Sequence, residues 1–232
     1  MAQRTIDRTA RGGFCLLLSL LFAVLGGCTD LEEHRVGSLV EHAPTPGKLQ
    51  VCHGSNCRVE TAVRLDDSDW NRVRALFEPA PKTAVEERRR IANAIGLLEQ
   101  LVAPQAGTAR DVGRNLAVAD QSTQLDCVDE AVNSSTYLNL IADNGLLRFH
   151  AIEMPAHRGG VILAHNTAVV RDIATGRRYA VDSWFYDNGS PAVVLPLQTW
   201  LDGWEPGDSI PVASDAPSDT QSTDTQSSDS TP

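Results

Sequence analysis

Apolar and polar positions divide the chain into three stretches. An unbroken apolar run, FCLLLSLLFAVL, spans Phe14 to Leu25, and Ala213 to Pro232 are almost wholly Ser, Thr, Asp, Gln and Pro. Between them, apolar residues recur with periods that predict secondary structure. KLQVC (Lys48 to Cys52) and RVETAVRL (Arg58 to Leu65) read as strands around a loop of His53, Gly54, Ser55 and Asn56. Asp66, Asp67 and Ser68 offer N-caps to a short helix with Trp70, Val73, Leu76 and Phe77 on one side, ended by Pro79 and Pro81. Thr83 and Glu86 stand at capping-box spacing before a long helix whose apolar face runs Val85, Ile91, Ile95, Leu98, Leu101, Val102. Its Arg88, Arg89, Arg90 run is expected on the solvated side. Polar residues Asp111 to Thr123 lead to a third helix starting near Cys127, with Val128, Ala131, Tyr137, Leu138 and Ile141 as apolar positions. Beyond Gly145 the helical period gives way to strands at Leu146–Met154, Val161–Val170 and Arg178–Phe185. Helices followed by an antiparallel run of strands predict an α+β domain.

The terminal stretches have other readings. Arg4, Arg8 and Arg11 against the single acid Asp7 precede an apolar run of 12 residues, the pattern of a signal peptide. A spanning helix needs about 20 residues. Leu25, Gly26, Gly27 and Cys28 resemble the lipobox of bacterial lipoproteins, which implies cleavage before Cys28 and a lipid on its thiol. Thr29 follows without an acid, so a periplasm-facing position on the outer membrane is expected. The boundaries expected are a signal peptide over 1–27, a lipid tether over 28–47 (Pro44, Pro46 and Gly47 with little apolar periodicity), a domain over 48–207 with its core at 121–207, and a tail over 208–232 that buries too little to order itself. Without residues 1–27 the chain has 17 basic and 29 acidic residues. That balance excludes nucleic acid as a partner, because phosphates demand a basic surface. It also leaves membrane attachment to the lipid.

Cysteine usage adds chemistry. Cys15 leaves with the signal peptide and Cys28 takes the lipid, so Cys52, Cys57 and Cys127 remain. Cys52 and Cys57 flank the hairpin loop, and in an oxidising compartment that spacing predicts a disulfide. A metal site with His53 lacks the second ligand pair of structural zinc. No cofactor is expected, since nothing resembles a nucleotide loop or a complete metal set. Cys127 is left as the odd thiol. Asp126 precedes it at a helix start, where the macrodipole favours a thiolate. His165 lies in a later strand, and Asp182 in the next, between Val181 and Trp184, where a carboxylate needs a partner. His150 and His157 read as structural histidines, and Trp184, Trp200 and Trp204 as core or cleft wall.

The stretch from Gln124 to Trp184, with LDCVDEAVNSSTYLNLI on a helix and then AHNTAVVRD, ATGRR and YAVDSWF on strands, resembles the core of transglutaminase-like cysteine hydrolases in the papain-like group. The resemblance implies Cys127 as nucleophile, His165 as general base and then acid, and Asp182 as the group orienting the imidazole. It implies action on an amide, in a peptide or a cell-wall component. The chain departs from the family pattern in lacking an aromatic residue soon after His165, where Asn166 and Thr167 stand, and a glycine-rich lead into Cys127. The Cys127 backbone N–H is the first candidate oxyanion donor and Gln124 the second. The alternative is a catalytically silent papain-like domain serving binding or envelope structure. A triad also constrains register. A four-residue loop of Ile173, Ala174, Thr175 and Gly176 sets Thr167 opposite Asp182 and His165 opposite Trp184, leaving His165 and Asp182 as diagonal neighbours within side-chain reach.

Overall fold

A computed structural model describes residues 30–115, 122–159 and 164–210. The expected signal peptide, the expected lipidation site Cys28 and the part of the expected tail beyond 210 lie outside the described residues. The elements in chain order are α1 (residues 30–37), β1 (Leu49–His53), β2 (Val59–Val63), α2 (Asp67–Ala75), α3 (Ala84–Ala106), α4 (Cys127–Asp143), β3 (His150–Arg158), β4 (His165–Asp172), β5 (Arg178–Asp182), β6 (Val193–Pro196) and α5 (Leu197–Leu201). β1 and β2 form an antiparallel hairpin, and β3-β4-β5-β6 form a second, wholly antiparallel sheet. The class is α+β, as the alternation of periods predicts. Among the described residues no helix is long and apolar enough to cross a membrane.

Residues 30–47 correct the expected tether. Val36, in the last turn of α1, and Val40, in the turn that follows it, are buried with Cys52, Val128, Ala131 and Val132 of the hairpin and α4. This burial outweighs the Pro and Gly that follow it. At the other end the chain stays tied through Asp208, whose carboxylate and backbone bond Glu205, one residue into the expected tail.

β3 starts later than the expected Leu146. Gly145, in the left-handed region at φ 71°, lets α4 close with Leu146 N–H on the Ile141 carbonyl. Arg148 and Phe149 then give their N–H groups to the buried carboxylate of Glu87, at 2.7 and 2.9 Å. β3 also carries a bulge: Glu153 pairs with Val169, but Ala156 pairs with Thr167, so one extra residue is absorbed near Pro155. Pro is tolerated because β3 is an edge strand. From the bulge on, side chains change face relative to strict alternation. His157 therefore stands opposite Asn166, and Arg158 opposite His165.

The β4–β5 connection has the four-residue length expected. The Asp172 N–H reaches the Arg177 carbonyl at 2.8 Å, the Asp172 side chain accepts from Ala174 and Thr175, and Ala168 pairs with Val181. One face of this sheet (Ala168, Val170, Val181) packs on Ile95, Leu98 and Leu138 of α3 and α4. The other (Val169, Ala180, Leu195) packs on Phe185, Trp200 and Trp204.

The arginine run is only partly solvated. Arg88 lies over the Tyr179 ring at 3.9 Å and 3.8 Å from Asp172, and Arg90 bonds the Leu76 and Pro79 carbonyls and Glu86; of the three, Arg89 alone is exposed. Val85, assigned to the apolar face, is 37% exposed. α3 also receives the loop that precedes β6 so closely that a Cβ on Gly96 would lie 2.5 Å from the Ser190 carbonyl oxygen. Gly96→Ala is therefore expected to destabilise the fold by about 1–3 kcal/mol through overpacking. Urea unfolding would register this as a lower midpoint at an unchanged slope.

Candidate active site

The site is organised around the first turn of α4, whose free N–H groups need acceptors. Asp126 is the N-cap: its Oδ1 accepts from Val128 and Asp129 N–H, both at 3.0 Å, and Asp129 returns the bond to the Asp126 N–H at 3.2 Å. Both carboxylates also receive the disulfide loop. Cys52 and Cys57 are bridged, with Cα atoms 4.7 Å apart, and Gly54, Ser55, Asn56 and Cys57 all adopt φ between 53° and 79°. Three of these are not glycine, and each costs roughly 1–2 kcal/mol in that region. The turn aims its N–H groups one way: Ser55 and Cys57 donate to Asp129 at 2.8 and 2.6 Å, and Asn56 donates to Asp126 at 2.9 Å. The Ser55 hydroxyl adds a bond to Asp126 at 2.7 Å. Burial and the neighbouring charge of Asp126 push Asp129 up to about 7, against these donors.

The Cys127 N–H, in the midst of these bonded groups, has no acceptor among the described residues. Its side chain is half-exposed, the one free thiol among them. The sulfur lies 3.8 Å from the Ala164 carbonyl oxygen and 3.8 Å from the Asn166 amide nitrogen.

His165 and Asp182 form the pair that the register required, with Nε2 and Oδ2 2.7 Å apart. Trp200 Nε1 donates to the same oxygen at 2.7 Å, and the Trp184 N–H donates to Oδ1 at 3.1 Å. Trp184, Phe185 and Trp200 enclose the imidazole with ring centroids 4.5, 5.4 and 5.3 Å away. Burial opposes the imidazolium, but the charge and hydrogen bond of Asp182, helped by Cys127, outweigh it and raise the His165 pKa to about 9. Nδ1 is buried without a hydrogen-bond partner among the described residues. A cavity of ≈ 340 Å³ opens beside the ring, walled by Trp184, Ala164, Arg158 and Leu201.

The remaining sequence candidates divide. Gln124 is not free to serve an oxyanion: its Nε2 donates to the Arg110 carbonyl at 2.8 Å, and its Oε1 accepts from Val112 N–H and Asn115 Nδ2. It instead fastens the lead into α4 to residues 110–115. His150 is structural, buried with Nδ1 2.9 Å from Glu87. His53 is bonded through both nitrogens, to Ser122 O and Thr61 Oγ1. His157 is different, because the β3 bulge sets its Nδ1 3.1 Å from Asn166 Oδ1, beside the sulfur.

Sequence reasoning missed Asn166 and the buried acids behind the site. Ser183 donates to Glu130 at 2.5 Å, and Glu99 accepts from Gly189 N–H at 2.9 Å. Burial, then Glu99 and Asp111, push Glu130 far above the usual range; burial pushes Glu99 to about 8 and Asp111 to about 7. Position signals exist for some of these. Glu87 and Glu99 stand four residues from Ile91 and Ile95, on the apolar face of α3, where an acid needs a partner. Compared with known proteins, the chain matches no family model, no curated protein and no solved structure.

Proposed function

We propose that this protein is a transglutaminase-like cysteine hydrolase or acyltransferase that opens an amide bond through Cys127, His165 and Asp182. The observation that carries the reading is the 2.7 Å bond from His165 to Asp182, which leaves Nδ1 as the nitrogen available to the half-exposed thiol at the start of α4. The Cys127 proton passes to Nδ1, and the thiolate attacks the amide carbon. The resulting oxyanion takes the uncommitted Cys127 N–H. His165 then returns the proton to the leaving amine as the C–N bond breaks, giving a thioester. Water or a second amine, deprotonated by His165, attacks the thioester and restores the thiol. Asp182 holds the imidazole in the tautomer that this cycle uses and stabilises its cation.

A lipid on Cys28 and a periplasm-facing position on the outer membrane complete the proposal, with peptide or cell-wall amides as substrate. The Cys52–Cys57 disulfide suits such an oxidising compartment. Alkylation of the folded protein by iodoacetamide, followed at the Cys127 peptide by mass spectrometry over a pH series, tests the chemistry. Cys127 should react at pH 6 about 10²-fold faster than a free thiol of pKa about 8.5. A rate equal to that of the free thiol would instead identify a catalytically silent scaffold.

A further inference from the structure

We propose that the Asn166 side-chain amide is the second oxyanion donor of this site, aimed by His157. The inference rests on the cysteine-hydrolase reading above and names a residue outside its triad. Its starting point is what remains at the sulfur once Gln124 is committed elsewhere. Asn166 is 3% exposed, and its Nδ2 lies 3.8 Å from Cys127 Sγ. In the tetrahedral adduct the oxyanion and the sulfur share one carbon, so they stand about 2.7 Å apart, and a donor must be about 2.9 Å from the oxygen. A nitrogen 3.8 Å from the sulfur satisfies both distances with the oxyanion between them.

The orientation of the amide is set by its neighbours. Its Oδ1 faces His157 Nδ1 at 3.1 Å, so that the imidazole donates there and the NH₂ end turns to the sulfur. The Cys127 sulfur accepts from that NH₂ end at 3.8 Å. An acceptor on one end and a donor on the other leave one assignment. The β3 bulge makes this possible by placing His157 directly opposite Asn166 on the face of the sheet that meets α4. The His157 N–H in turn bonds Glu33 of α1 at 3.2 Å. α1 is thereby part of the support of the site.

Acylation by p-nitrophenyl acetate passes through an oxyanion, whereas alkylation by iodoacetamide does not, and neither requires the natural substrate. Asn166→Ala and the near-isosteric Asn166→Leu should each lower the acylation rate about 10²-fold. Their alkylation rates at Cys127 should stay within about twofold of the parent, as expected for a donor that acts only on the oxyanion. His157→Ala, which frees the amide to rotate, should give a smaller loss of the same kind. Acylation that survives in both Asn166 variants overturns the assignment while leaving the triad in place. Parallel loss of acylation and alkylation overturns it too, since Asn166 would then act on the thiol. If the unsubstituted protein reacts with both reagents no faster than a free thiol, the hydrolase reading itself fails. Near-ultraviolet circular dichroism identifies which of the two variants keeps the native packing for the comparison.

Discussion

Asp182→Asn is expected to reduce acylation of Cys127 by about 10⁴-fold while leaving most of the fold in place. All three groups that face Asp182 are donors: His165 Nε2, Trp200 Nε1 and the Trp184 N–H. A carboxylate accepts from all of them, but an amide presents its own N–H groups to one side. If the asparagine oxygen stays with the imidazole and indole, its NH₂ confronts the Trp184 N–H; if it turns, two side-chain donors lose their acceptor. Either way a buried donor is left unsatisfied, at a cost of about 1–3 kcal/mol. The larger effect is on His165. Its pKa of about 9 depends on Asp182 overcoming burial, so the imidazolium partner of a thiolate becomes unfavourable without that charge. The p-nitrophenyl acetate rate and the low-pH alkylation of Cys127 should therefore fall together. A variant acylating within tenfold of the parent would remove Asp182 from the triad.

Thermal stability is expected to decline from mildly acidic pH to pH 9. Glu99, Asp111 and Asp129 have folded-state pKa values raised from 4.5, 3.8 and 3.8 to about 8, 7 and 7. Each contributes stability that is fully present below its unfolded value and lost as pH rises through its folded value, because the unfolded chain releases the proton earlier. His165, raised from 6.5 to about 9, has the same sign, through its charged rather than its neutral form. The losses therefore accumulate in one direction, first from the acids and then from the histidine. Glu32, Glu86 and Glu87, whose values are lowered, act oppositely and only as pH falls towards their usual range. Glu99→Gln imitates the protonated acid in shape and charge. It should melt above the parent at pH 8.5 and lose that advantage at pH 5, with a shift of several degrees for about 1 kcal/mol in a domain of this size. An advantage that is the same at both pH values would mean that Glu99 does not hold its proton through folding.

The sequence carried the site to different depths. Cap residues and helical periodicity located α2, α3 and α4, because Thr83 and Asp126 bond their own first turns wherever the rest of the chain goes. The turn length gave the His165 and Asp182 register, since the side-chain period in a strand is two and the loop fixes its phase. A bulge breaks that phase. No count of alternating positions places His157 beside Asn166, because the extra residue near Pro155 inverts the faces after it. α1 escaped for another reason: Val36 in the helix and Val40 in the turn after it make no readable period, and their burial depends on α4 and the hairpin. β6 and α5 were missed because they are four and five residues long, less than one readable period of either kind. Asp129 and Glu130 fall between the apolar positions expected of α4, and a heptad of apolar letters does not announce that a helix is buried over most of its length.

The clasp between the disulfide loop and α4 also bears on the order in which this chain can assemble. Ser55, Asn56 and Cys57 reach Asp129 and Asp126 across 74, 70 and 72 residues, and His157 meets Glu33 across 124. Loop-closure entropy must be overcome before such contacts return anything, so the cap of α4 is complete only late in folding. A fragment from residue 121 onward would hold Cys127, His165 and Asp182 and still leave Asp126 and Asp129 without the donors that fix the first turn of α4. The letters of the proposed triad lie close together in the text; the grammar that orders them is written at the beginning.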